Sequence, residues 1–377
     1  MIERIAVCCN SLIPGSGAPS SAQGLRANGL YLGLTAAGFA VDIVNIATSV
    51  SAQLDRWDVE RVRIPGHWRI IQEPVYLGRL NNDYDVVIFP NWPVAKGFQK
   101  AGDIKVVYDF FSATQIEHAV IASPADVAER RTEKLQILAQ ADYVIANGGV
   151  QADYARTFME EAAGRTVTGT IPPVRLALPY HGVAPPPSDR LRLFFGGFLQ
   201  AWTTGIDLGD LETLAEENDL EIHTMGFGQH VHFRDLSRAG RHRPVSRRVV
   251  LNDVASFQSY QDLNARCDVA LDIFEPNEER RISYSTRAVS AIAAGCPLIT
   301  MSFTEIGRLV GETGAGWTLD TFSLPALREL IAHLKAHPEE IAAARARTQD
   351  FWRAYIDPAR QVEPLAEMLR SNAPNVA

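Results

Sequence analysis

The run CDVALDIFEPNEERRISYSTRAVSAIAAGCPLIT, residues 267–300, restricts the fold of this chain more than any other stretch. Its segment 269–273 is apolar with little alternation, as expected of a strand buried on both faces of a parallel sheet. Asp272 stands at the carboxyl end of that strand, and a polar loop over 275–284 follows. Ser285 and Thr286 can cap a helix whose apolar positions Val289, Ile292 and Ala293 share one face. Gly295 ends the helix, Pro297 comes two residues on, and 298–300 begins the next strand. In an open parallel sheet, ligands bind beyond the carboxyl ends of the strands, where helix N-termini present free N–H groups. A helix opening with Ser285-Thr286-Arg287 offers an anion backbone donors, two hydroxyls and a guanidinium fork, chemistry that suits a diphosphate. An ordinary capped helix with Arg287 in solvent is the alternative.

At 377 residues the chain exceeds what one core usually holds, so two domains are expected. The net charge of −8 argues against general nucleic-acid binding, although a local basic patch is compatible with it. Cys8, Cys9, Cys267 and Cys296 lie beside or within predicted strands and lack metal-ligand spacing, which reads as reduced core thiols of a cytoplasmic protein. The N-terminus runs into a strand without a signal pattern, and no window approaches eighteen uninterrupted apolar residues.

Strands are expected over 4–9, 39–46, 85–89, 104–108 and 142–146, with a helix over 25–37. The first strand leads into NSLIPGSGAPSSAQG, which matches neither GxGxxG nor a P-loop. Phosphate cradling by Gly15 and Gly17 is one reading of that loop, and a flexible connection is the other. HGVAPPPS, residues 181–188, is the linker candidate. The pattern restarts after it, with strands over 191–195, 220–224 and 249–252 and a helix including 212–217. Helices over 323–337, 338–355 and 358–370 follow the focal run. The expected organisation is an N-terminal domain over 1–183, a second over 189–355, and a C-terminal helix in 356–377 that crosses back to the first. Val362, Leu365, Met368 and Leu369 give that helix an apolar face. Between Arg234 and Arg248 lies a basic run that reads either as a solvated segment or as a surface meeting anionic lipid.

Four segments, in order, carry a family resemblance: YDFFSATQIEH, ADYVIANGGVQADY, RLRLFFGGFLQAW, and the focal run with Glu279, Ser283, Thr286-Arg287 and Ala294-Gly295-Cys296-Pro297. The chain resembles a GT-B fold glycosyltransferase of the family 4 type, in particular the branch that builds bacterial surface polysaccharide and lipopolysaccharide. The resemblance implies an α/β chain with two Rossmann-like, doubly wound domains facing across a cleft. It implies a retaining, metal-independent transfer of a sugar from a nucleotide-diphosphate sugar, a co-substrate and not a cofactor, to a hydroxyl of a glycan or lipid-linked acceptor. Such an enzyme would be cytoplasmic, with peripheral membrane contact through the basic run as a further expectation. No DxD stands at a strand end. One departure is Ser290, where the family usually has a carboxylate that contacts the nucleotide ribose.

On this reading the donor is held by Gly196, Gly197, Gln200, Trp202, Phe227, Ser285, Thr286 and Arg287, with Gly15 and Gly17 as further phosphate candidates. Asp109, at a strand end, could orient an acceptor hydroxyl or accept its proton, or could simply cap a helix. His118 could reach the cleft from the helix that follows, or be an ordinary helical histidine. Glu279 could hold sugar hydroxyls, or be a solvent-exposed loop carboxylate. A sugar-nucleotide epimerase and a catalytically silent binding or assembly protein of the same fold are the alternatives, since fold alone does not separate them.

Overall fold

The computed structural model describes residues 2–57, 59–91, 93–113, 116, 123–196, 206–225, 245–253 and 255–377. The chain divides into two compact units. Unit 1 holds Met1–Leu178, Ile282–Tyr284 and Asp357–Ala377, and unit 2 holds Pro179–Arg281 and Ser285–Ile356.

Unit 1 is built on β1 (Arg4–Cys9), β2 (Ala40–Ile46), β3 (Trp68–Ile71), β4 (Val86–Phe89), β5 (Lys105–Phe110) and β6 (Tyr143–Ala146). They form one parallel sheet in the order β3-β2-β1-β4-β5-β6. Helices cover both faces, so each inner strand must be apolar on both. In β1, Ala6 and Cys8 enter the core on one face, while Ile5, Val7 and Cys9 enter the core on the other. That double burial is why the strand reads as an unbroken apolar run.

Unit 2 repeats the plan with β7 (Arg192–Phe195), β8 (Glu221–Met225), β9 (Val249–Asn252), β10 (Val269–Asp272), β11 (Leu298–Met301) and β12 (Gly316–Leu319). Their order is β12-β11-β10-β7-β8-β9, again parallel throughout. In each sheet the winding reverses between the two central strands, at β1/β4 in unit 1 and β7/β10 in unit 2. Helices on opposite faces diverge there, which leaves a crevice at the strands' carboxyl ends.

Several elements escape the sequence reading. The edge strands β3 and β12 are half-exposed, so neither WRII nor GWTL shows a continuous apolar run. Helices over Ala47–Trp57, Glu73–Asp83 and Glu305–Thr313 are also present. The loop expected over 275–284 contains a short helix, Glu278–Ile282, entered where the Asn277 side chain accepts the Arg280 N–H at 2.8 Å.

The chain joins unit 2 at Pro179, before the proline-rich run: the His181 N–H donates to the Ala293 carbonyl at 2.7 Å. The final helix, Pro358–Ser371, belongs to unit 1 and buries Val362, Leu365 and Leu369. It packs on the Ala22–Ala36 helix so closely that a Cβ on Gly33 would lie 2.4 Å from the Pro358 carbonyl oxygen and 2.5 Å from Val362 Cγ2. Gly33→Val is therefore expected to destabilise unit 1 by about 1–3 kcal/mol through overpacking. An unchanged Tm in that variant would contradict the close helix contact.

Candidate functional site

The site in unit 2 forms where β7 and β10 end side by side. Gly196 follows β7, and a Cβ there would meet the Tyr260 hydroxyl at 2.6 Å and Phe194 Cε1 at 2.8 Å. Its carbonyl accepts a hydrogen bond from Arg287 Nη1 at 3.0 Å. Arg287 reaches that position from the Thr286–Ala293 helix, whose N-cap is Ser285 with its hydroxyl accepting the Ala288 N–H. Arg287 Nε also lies 3.2 Å from Asp272 Oδ1, at the end of β10. The guanidinium rests over the Phe274 ring, 4.7 Å from its centroid, and Arg280 rests over the same ring at 4.6 Å. Arg280 pairs in turn with Glu279 at 2.9 Å.

This arrangement holds two cations beside a helix N-terminus while leaving one of them partly uncommitted. Asp272 is fully buried, and burial pushes its carboxyl above the usual range while Arg287 and the Ser285 hydroxyl act against that shift. Burial likewise pulls Arg287 down, with Asp272 opposing. The side chain of Arg287 is 16% exposed, and its Nη2 makes no hydrogen bond among the described residues. Asp272 and the Gly196 carbonyl thus orient the fork, and its free edge can meet an oxyanion. Burial also raises the nearby Tyr260 phenol to about 12, so it stays protonated as a hydroxyl at neutral pH.

The structure gathers Gly196, Glu279, Ser285, Thr286 and Arg287 within unit 2. Gly196 contributes a carbonyl that holds Arg287. Glu279 is buried in the short helix beside Arg280, which excludes the alternative of an exposed loop carboxylate. Ser290 is buried in the helix with its hydroxyl unpartnered among the described residues. His118, Gly197, Gln200, Trp202, Phe227 and residues 234–243 of the basic run lie outside the described residues.

Gly15 and Gly17 are in unit 1. Their φ values of +84° and +80° are left-handed, so glycine there serves the turn itself. The loop around them is tied down: the Ser21 and Ser11 hydroxyls bond at 2.7 Å, Ser20 Oγ donates to the Leu12 carbonyl, and Asn45 Nδ2 donates to the Ser11 carbonyl. A flexible connection is not what these bonds make. Asp109 is corrected too. It lies within β5, fully buried, and accepts from Arg26 Nε at 2.7 Å and Arg26 Nη2 at 2.8 Å. A carboxylate with both oxygens committed to a buried guanidinium positions the chain and is poorly placed to contact substrate.

Arg280 and Tyr260 were missed by sequence reasoning. Arg280 stands seven residues before Arg287, and the two meet over the ring of Phe274. Among the described residues, no three His, Cys, Asp or Glu side chains are grouped to hold a metal ion, and no helix is long and apolar enough to cross a membrane.

Neither a protein-family model nor a curated protein sequence matches the chain. Solved structures match it in fold. Sucrose-phosphate synthase from Thermosynechococcus elongatus aligns with a TM-score of 0.68 at 15% identity, over 98% of this chain and 100% of that one. An α-glucosyltransferase in complex with UDP-glucose and DNA containing an abasic site gives 0.67 at 11%, over 98% and 99%. Anabaena HepE in complex with UDP-glucose gives 0.64 at 13%, over 98% and 99%. The fold is the two-domain α/β architecture called GT-B.

Proposed function

We propose that the chain is a glycosyltransferase that moves a sugar from a nucleotide-diphosphate sugar to a hydroxyl acceptor, with retention at the anomeric carbon. The observation that carries this reading is Arg287: oriented by Asp272 and Gly196, placed at a helix N-terminus, and unbonded at Nη2 among the described residues. A leaving diphosphate gains negative charge as the sugar departs, and donors fixed in advance stabilise that charge without reorganising. Arg280, over the same ring, adds a second cation. Support for a uridine donor comes from the UDP-glucose bound by HepE and by the α-glucosyltransferase. The ordered motifs support a family 4 type enzyme of bacterial surface-polysaccharide assembly, acting on a glycan or lipid-linked acceptor in the cytoplasm, with peripheral contact at the membrane.

The test is release of nucleoside diphosphate from a panel of UDP-, GDP- and ADP-sugars by the full chain, with thermal shifts for the free diphosphates. At about 100 times its Kd a bound diphosphate adds about 2.7 kcal/mol of stability. No shift with any of them would overturn the reading. Binding without turnover would favour the second reading, a catalytically silent protein of this fold, to which Ser290 in place of a ribose-binding carboxylate lends support.

The same assay tests the metal requirement. With arginines and a helix N-terminus neutralising the diphosphate, most of the rate is expected to survive excess EDTA. A collapse restored by Mg²⁺ or Mn²⁺ would mean that the donor's charge is met by a metal instead.

A further inference from the structure

Unit 1 has its own winding reversal, at β1/β4, where a doubly wound sheet favours a ligand crevice, and the groups at the strand ends there differ in kind from those of unit 2. Asn10 follows β1 and Asn91 follows β4. The β1–β4 register pairs Val7 with Ile88, and continuing it brings Asn10 level with Asn91. Asn91 is 4% exposed, yet neither Nδ2 nor Oδ1 has a hydrogen-bond partner among the described residues. Asn10 Oδ1 is buried without a partner as well. Further along the same edge, Gln151 is fully buried, with Oε1 accepting the Asn147 N–H at 2.9 Å and Nε2 unpartnered.

A buried amide group left unpaired costs about 1–3 kcal/mol, so such groups call for an occupant. Asn91 presents one donor and one acceptor group whichever way its amide is turned, and the bond from Asn147 fixes the orientation of Gln151. The set therefore asks for a ligand that both donates and accepts. A carboxylate or a fully ionised phosphate ester only accepts, and would face the amide oxygens with nothing to give them. A hydroxyl does both. Charge points the same way. Among the residues that end β1, β4, β5 and β6, the one charged side chain is Asp109, and Arg26 neutralises it.

We infer that Asn91, with Asn10 and Gln151, forms a subsite in unit 1 for an uncharged polyhydroxy compound. Resting on the transferase reading, this makes the acceptor a neutral sugar at the end that unit 1 holds, with Asn91 as the residue that binds it.

Isothermal titration of the full chain tests this. The probes are methyl glucoside, methyl galactoside, methyl mannoside and maltose, with glucose 6-phosphate and mannose 6-phosphate as charged counterparts and UDP in a separate titration. At least one neutral glycoside is expected to bind, and to bind better than its phosphate. Asn91→Leu should weaken that glycoside about tenfold or more, the loss of one to two hydrogen bonds, and leave UDP affinity unchanged. Its Tm should not fall, because an unpaired buried amide is replaced by an apolar group of similar size. Asn91→Asp, which keeps the shape but exchanges a donor for an acceptor, should weaken the glycoside too and serves if the leucine variant does not fold. The inference is overturned if no neutral glycoside binds at millimolar concentration, if a sugar phosphate binds more tightly, or if both variants bind the glycoside as wild type does. A fall in Tm for Asn91→Leu with unchanged glycoside binding would assign the amide to buried water and also overturn it. Failure to bind UDP, with the glycoside results as expected, would strike the transferase reading alone.

Discussion

Arg287→Ala is expected to lower kcat/KM by about 30- to 1,000-fold, a loss of about 2–4 kcal/mol for the charge-assisted contact proposed between Arg287 and a donor diphosphate. The variant removes three things: the bond to the Gly196 carbonyl, the partner of buried Asp272, and the free Nη2 edge. Asp272 would then be a buried carboxylate without its cation, so some stability should be lost along with the activity. The double variant Asp272→Asn, Arg287→Ala separates the two effects. It should regain stability, because the orphaned charge is gone, and should not regain turnover. Arg287→Lys should restore little, since a point charge cannot reach Gly196, Asp272 and a phosphate together. Near-normal turnover by the alanine variant, measured with the donor that the panel identifies, would remove Arg287 from the site.

Lys134→Met is expected to stabilise the protein by several kcal/mol near neutral pH. Lys134 is 1% exposed on the Pro124–Leu138 helix, its Nζ 4.3 Å from the ring centres of both Phe110 and Phe158, with Tyr108 at 5.8 Å. The rings offset part of the cost of burying a cation, yet burial still pulls the amine from 10.5 down to about 7, helped by Arg131. The sign follows from proton binding. Between about pH 7 and 10.5 the unfolded chain holds this proton and the folded chain does not. Stability therefore rises with pH across that window, by about 1.4 kcal/mol per unit from this group, and the full penalty applies below it. Denaturant unfolding at pH 7 and pH 9 should show a smaller pH dependence for Lys134→Met than for wild type. Equal slopes would mean that the amine keeps its ordinary pKa in the fold.

The same strand shows how differently neighbouring residues can be read from a sequence. In β5, Tyr108 and Phe110 belong to the core on one face, and Asp109 turns to Arg26 on the other. Alternation along a strand is local and follows from the pleat, so the burial of YDF was open to sequence reading. The identity of the partner was not. Arg26 is 83 positions away, and it meets Asp109 only because the first helix packs against the sheet. An acid at a strand end therefore read as a substrate group until its cation was found.

Local physics alone determined a good deal here. Double-sided burial marked the central strands, from β1 to β10, as parallel, and Ser285 and Gly295 bounded the helix that carries Arg287 at the positions their capping chemistry requires. The half-exposed edge strands β3 and β12 lacked that signal and went unread. Tertiary structure decided everything that depends on which groups meet across long separations. The winding order set β7 beside β10, so that Gly196 and Asp272 could hold one arginine from two sides, and the Phe274 ring drew Arg280 to it. Winding also set β1 beside β4, leaving Asn10 Oδ1 and the Asn91 amide without partners among the described residues. Propensity and patterning act over a turn or a strand. An oriented guanidinium and an unpaired amide are properties of neighbours that only packing supplies.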